Sequence, residues 1–153
     1  MSELKLLFSD LIRFETRLWN LVDARLRAEC DLQLTWFEPM QVISKYPACR
    51  VYDIKEELSI TVGGTSKLVD RIEAAGLCRR RANPDDRRSQ IIELTPAGRR
   101  LLEEATKTFK DELQARLGSV LTGRSLDQFG AMLVKLRAAN RPVASREEIS
   151  PAS

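Results

Sequence analysis

Between Thr61 and Leu94 the chain reads as a short helix followed at once by a two-stranded hairpin with a basic tip, and that order narrows its possible folds. Over TVGGTSKLVDRIEAAG, the residues Leu68, Val69 and Ile72 recur at helical spacing, with Thr65 and Ala75 on the same side. Ser66, Lys67, Asp70 and Arg71 fall on the opposite, solvent-facing side. Gly76 closes the helix, because a glycine just past the last periodic residue takes the left-handed conformation at little cost. Residues 77–82 and 89–94 then read as two antiparallel strands around Asn83-Pro84-Asp85-Asp86, where each residue is turn-prone for its own reason. The pattern predicts a mainly α, α+β fold: helices with one two-stranded hairpin.

The same stretch holds the densest positive charge. Residues 61–90 carry seven basic and four acidic side chains, whereas residues 1–60 carry eight basic and ten acidic. Arg79, Arg80, Arg81, Arg87 and Arg88 are expected to converge around one hairpin tip. A charge cluster is often only a solvated surface. One lying beside a helix with an exposed polar face points to a polyanion partner.

The segments before it complete a helix-turn-helix. Thr35 with Glu38, and Asp53 with Glu56, have the spacing of capping boxes opening two helices. Pro39 sits in the first turn of the former and Pro47 marks its end. Thr61 has the side chain of an N-cap for the helix that follows. Two short helices separated by three or four residues match the helix-turn-helix signature. Gly63 and Gly64 cost about 1 kcal/mol each against alanine inside a helix. Their bare backbone suits close approach of the helix start to a phosphate.

Flanking helices look built for association. Residues 3–29 form one amphipathic helix without glycine or proline, and Leu6, Leu7, Phe8, Leu11 and Ile12 nearly encircle its start. A terminal helix that apolar needs cover on two sides, which a second copy of the chain supplies. Thr95-Pro96 opens a helix to about Leu117, with Leu101, Leu102, Ala105, Phe109 and Leu113 inside. Ser125 and Gln128 pair as a third box, ahead of a buried face of Leu126, Phe129, Met132, Leu133 and Leu136. Residues 1–139 read as one domain, with a DNA-binding lobe at about 35–95 and dimerisation helices at about 3–29 and 96–139. Residues 140–153 read as a flexible tail.

Composition argues against several function classes. The chain has no histidine, which removes the commonest general base, and its three cysteines form no CxxC pair. No enzyme, cofactor or metal site is expected. No apolar run approaches the roughly 18 residues of a spanning helix, and charges interrupt the N-terminus, so a cytoplasmic protein without a membrane partner is expected.

Together with the order of elements, the run SKLVDRIEAAGLCRRRANPDDRRSQIIELTPAG resembles the MarR family of dimeric winged helix-turn-helix transcriptional regulators. The resemblance covers about residues 4–139 and is most specific at Asp86-Arg87-Arg88 followed by Leu94-Thr95-Pro96-Ala97-Gly98. It implies that Arg88 and Arg87 enter a minor groove, with Asp86 orienting them by an ion pair. Arginine suits a narrow groove because its weakly hydrated cation senses the negative potential there. It implies further that Ser66, Lys67 and Arg71 read the major groove while Thr61 and Gly63 meet phosphates. The sequence departs from the family pattern at Gly64, where a hydroxyl residue is common, at Thr65, where an apolar one is usual, and at Lys67, where arginine is frequent.

Family resemblance also implies a homodimeric repressor on a pseudo-palindromic duplex, released by a small effector such as an aromatic acid. Arg13, Arg17, Trp19, Trp36 and Met40 are the candidate pocket residues, offering cations and flat apolar surface. Two alternatives stand beside this reading. One is a winged-helix protein-interaction module without DNA reading. The other is a thiol-based redox regulator using Cys30, Cys49 or Cys78.

Overall fold

The computed structural model describes residues 2–141. The chain divides into two compact units, 1–113 and 114–153. In the first, helices α1 (Ser2–Cys30), α2 (Leu34–Lys45), α3 (Val51–Leu58) and α4 (Val62–Ala74) precede strands β1 (Cys78–Ala82) and β2 (Gln90–Leu94) and helix α5 (Pro96–Leu113). The second opens on a π-helical segment, Gln114–Gly118, and continues into α6 (Gly123–Ala139). Among the described residues no helix is long and apolar enough to cross a membrane.

The core of the first unit gathers one face from each element. Leu26, Leu32, Phe37, Met40, Ile54, Val69, Ile72 and Ile92 are all at most 1% exposed. Fully burying each such side chain contributes about 1.5–3 kcal/mol. Phe37 of α2 stacks on Phe109 of α5 with ring centroids 4.8 Å apart. The strands pair antiparallel, with Cys78 opposite Leu94, Arg79 opposite Glu93 and Arg80 opposite Ile92. Cys49, just before α3, adds a single bridge to Ile92, whose N–H donates to the Cys49 carbonyl oxygen at 2.7 Å. This bridge ties the hairpin base to the helix-turn-helix.

Helix starts differ from the sequence expectation at three places. The α2 N-cap is Gln33, without a side-chain cap, and the Leu34 N–H instead donates to Asp23 of α1 at 2.9 Å. A tertiary carboxylate thus replaces the expected Thr35–Glu38 box. In α3 the N-cap is Arg50, and Asp53 is the residue that reaches back, accepting the Arg50 N–H at 2.9 Å. In α6 Thr122 is the N-cap and accepts the Ser125 N–H at 3.2 Å, so Ser125 stands three residues inside.

The flanking helices are apolar where nothing covers them. The start of α1 exposes Leu4, Leu6, Leu7, Phe8, Leu11 and Ile12, while Val22 and Leu26 further along are buried. Within the second unit, Met132, Val134 and Leu136 of α6 are exposed, and no described residue of that helix is buried. Of the expected buried face of the last helix, Met132 and Leu136 are exposed and Leu126, Phe129 and Leu133 are half-buried. Of the expected tail at 140–153, residues 142–153 lie outside the described residues.

Candidate nucleic-acid interface

Helix α4 begins where the sequence places it. Thr61 is extended, at φ −74° and ψ 155°, and its hydroxyl accepts the Gly64 N–H at 3.1 Å. Thr65, Val69 and Ile72 are fully buried, and Leu68 is half-buried. Ala75 departs from the expected side: it is the exposed C-cap. Thr65 stands where an apolar residue is usual, yet its hydroxyl is satisfied, donating to the Thr61 carbonyl oxygen at 2.7 Å. Gly76 has φ +77°, the left-handed turn that lets β1 start at once.

The two helix glycines differ physically. A Cβ on Gly64 would lie 3.0 Å from the Thr61 hydroxyl oxygen, so a side chain there would crowd the cap. A Cβ on Gly63 would meet nothing within 4 Å. The fold does not require a bare backbone at Gly63.

On the outer side of α4, Lys67 and Arg71 are exposed, and Ser66 is half-buried. The tip between the strands is held by side chains that accept backbone N–H groups two residues on. Asn83 Oδ1 accepts from Asp85 at 3.0 Å, and Asp86 Oδ1 accepts from Arg88 at 3.0 Å. Asn83 Nδ2 donates to Ser89 Oγ across the loop at 3.1 Å. Asp86 therefore shapes the turn through the Arg88 backbone, in place of the expected ion pair. Arg87 and Arg88 are exposed, with no ion pair to either among the described residues.

The five hairpin arginines do not converge on one tip. Arg79 and Arg81 point from one face of β1 to the same Glu93, Arg79 Nε at 2.7 Å and Arg81 Nε at 3.3 Å. Hydrogen bonding from Arg79 holds the Glu93 carboxyl below its usual range. Arg80, on the opposite face, turns back to α4 and pairs with Asp70 and Glu73. That ion-pair set was not legible in the residue order, because a run of three arginines does not reveal which faces alternate onto which acids.

The pocket candidates are not gathered in this chain. Arg13, Arg17 and Trp19 are exposed on α1, Trp36 is half-buried, and Met40 is fully buried. A shallow depression of about 350 Å³ is lined by Glu15, Thr16, Trp19 and Asn20. A larger one, about 470 Å³, lies over Ser44, Arg99, Leu102, Glu103, Thr106, Lys107 and Lys110, none of them a candidate.

The cysteines are packed as core residues. Cys30, Cys49 and Cys78 are free and buried. Burial above all pushes the Cys49 thiol up to about 12 and the Cys78 thiol up to about 11. Reactive cysteines need the opposite shift, because the thiolate is the nucleophile.

Residues 32–90 match the MarR family model. The chain is 26% identical over 106 residues to the multiple antibiotic resistance protein MarR of Salmonella typhimurium, covering 69% of this chain and 74% of that protein. It is 28% identical to the transcriptional repressor CouR bound to a 23-mer DNA duplex, with TM-score 0.79 over 86% of this chain and 92% of that one. The fold is also that of Sco3205, a MarR family transcriptional regulator from Streptomyces coelicolor in complex with DNA. That likeness has TM-score 0.87 at 21% identity, covering 95% of this chain and 92% of the other.

Proposed function

We propose that the chain is a DNA-binding transcriptional regulator of the MarR family, whose model matches residues 32–90, and that it acts as a homodimeric repressor of a pseudo-palindromic operator. In this reading α4 enters the major groove with Ser66, Lys67 and Arg71, and the hairpin lays Arg87 and Arg88 into the neighbouring minor groove. Thr61 and Gly63 sit at the phosphates beside the helix start. One observation carries the reading: Lys67, Arg71, Arg87 and Arg88 are exposed cations without an ion pair among the described residues, on adjoining elements. Their neighbours are paired: Arg79 and Arg81 share Glu93, and Arg80 faces Asp70 and Glu73.

The dimer is supported by the apolar start of α1, where six large side chains are more than 40% exposed. Apolar patches on that scale mark association surfaces. Two-fold symmetry then sets two half-sites about one helical turn apart, roughly 34 Å. A small aromatic acid is the proposed releasing ligand, with Arg13, Arg17, Trp19, Trp36 and Met40 as the candidate contacts, offering cations and flat apolar surface.

Selection from a randomised duplex pool tests the DNA reading, and sedimentation equilibrium tests the dimer. Enrichment of a two-fold related motif by a dimer is the expected result. A folded protein that enriches no sequence contradicts it. Loss of the enriched complex on adding a hydroxybenzoate tests the ligand class.

A further inference from the structure

The run of arginines groups Arg80 with the wing, but its side chain turns inward and is only 18% exposed. Its Nη1 pairs with Asp70 Oδ1 and lies 3.6 Å from Glu73 Oε1. Its Nη2 donates to the Ser66 carbonyl oxygen at 3.3 Å, and its backbone N–H donates to Glu73 Oε2 at 2.9 Å. Ser66, Asp70 and Glu73 are spaced four and three residues apart, so they form one stripe along α4. A single guanidinium on β1 thus spans two turns of the reading helix. A planar fork of five donors can serve those acceptors together, which a lysine ammonium cannot do in the same geometry.

Asp70 is otherwise hard to place. It lies between Lys67 and Arg71 with its side chain 59% exposed, where a negative charge opposes a phosphate backbone. An exposed ion pair alone contributes little to stability. What this set does is join two elements that would enter different grooves.

We infer that Arg80, held by Asp70, Glu73 and the Ser66 carbonyl, is a positioning residue that clamps the reading helix to the wing, so that major- and minor-groove contacts form as one unit. The inference rests on the DNA-binding reading and deepens it. Arg80 adds no free charge for phosphates, since two carboxylates already face it. Asp70 contributes to affinity despite its sign, by holding Arg80.

The test is fluorescence anisotropy on two labelled duplexes, one selected by the wild-type protein from a randomised pool and one of scrambled sequence. Asp70→Asn is expected to weaken binding to the selected duplex roughly tenfold, the size of one mismatched base pair. Its melting temperature and its affinity for the scrambled duplex are expected to match the wild type. Arg80→Gln is expected to lose the same factor, and the double variant no more than either, which is the signature of one shared interaction. Asp70→Asn binding as tightly as wild type, or more tightly, overturns the clamp. So do additive losses, which would mean that Asp70 touches a base on its own. Should Arg80→Gln fail to fold, Asp70→Asn decides alone. A folded wild type that enriches no duplex overturns the DNA reading and the clamp's role with it, whereas enrichment with unaffected variants overturns the clamp only.

Discussion

A Cβ placed on Gly98 would lie 1.9 Å from the carbonyl oxygen of Leu77. The first turn of α5 therefore presses on the backbone that leads into β1. Thr95 completes the junction, its hydroxyl donating to the Gly76 carbonyl oxygen at 2.6 Å and accepting the Gly98 N–H at 3.0 Å. The Leu94–Gly98 motif thus fixes the base of the wing against the first turn of α5.

Gly98→Ala should destabilise the fold by about 3 kcal/mol, the upper end of overpacking penalties, because backbone must move to admit the methyl group. Urea denaturation measures this. Unchanged stability would mean that the junction opens easily.

Gly63→Ala should separate stability from binding. With nothing within 4 Å of the added Cβ, the variant should gain up to about 1 kcal/mol through helix propensity. DNA affinity should fall, because the methyl group stands where the proposed phosphate approaches. Denaturation and anisotropy on the same preparation check both. A more stable variant that binds as well as wild type would remove Gly63 from the interface.

Among the hairpin arginines the structure predicts a split. Arg87→Ala and Arg88→Ala should each weaken DNA binding and lower the salt slope by about 1, leaving melting temperature unchanged. Arg79→Ala and Arg81→Ala each remove a cation that is tethered to the shared Glu93, and should change the slope less. Four equal effects would contradict the division of the cluster.

The thiols should be quiet at neutral pH. Their folded pKa values lie above the ordinary 9.0, at about 12 for Cys49 and about 11 for Cys78. A group whose folded pKa is raised contributes stability below its unfolded pKa and loses it as pH rises through the folded value. These two should thus favour the fold up to about pH 9 and progressively less between pH 9 and 12. Iodoacetamide labelling of the native protein at neutral pH should be slow compared with the unfolded chain. Rapid native labelling, or peroxide-dependent DNA release, would support the redox alternative.

Much of this was legible because local pattern and tertiary demand agree. The helical stripe through Val69 and Ile72, the glycine at 76 and the apolar segment Ile91, Ile92 and Leu94 describe α4 and the wing within a residue or two. What escaped was set by distant partners. Asp23 caps α2 from eleven residues away, so the local Thr35 is not needed. Opposing Arg79 to Glu93 requires the strand register, and Arg80's turn toward Asp70 requires the packing of hairpin on helix. The uncovered faces of Leu7 in α1 and Leu136 in α6 carry the same lesson: an apolar stripe says that something will cover it, without saying which chain.

In the proposed complex the unpaired cations on α4 and the wing tip meet phosphates and groove edges, so DNA binding should depend steeply on salt. The selected duplex should bind ever more weakly as salt rises, log K falling linearly with log salt at a slope of about −0.9 for each phosphate neutralised. A folded dimer that forms no complex at low salt, or one whose affinity does not change with salt, would rule out this mode of binding.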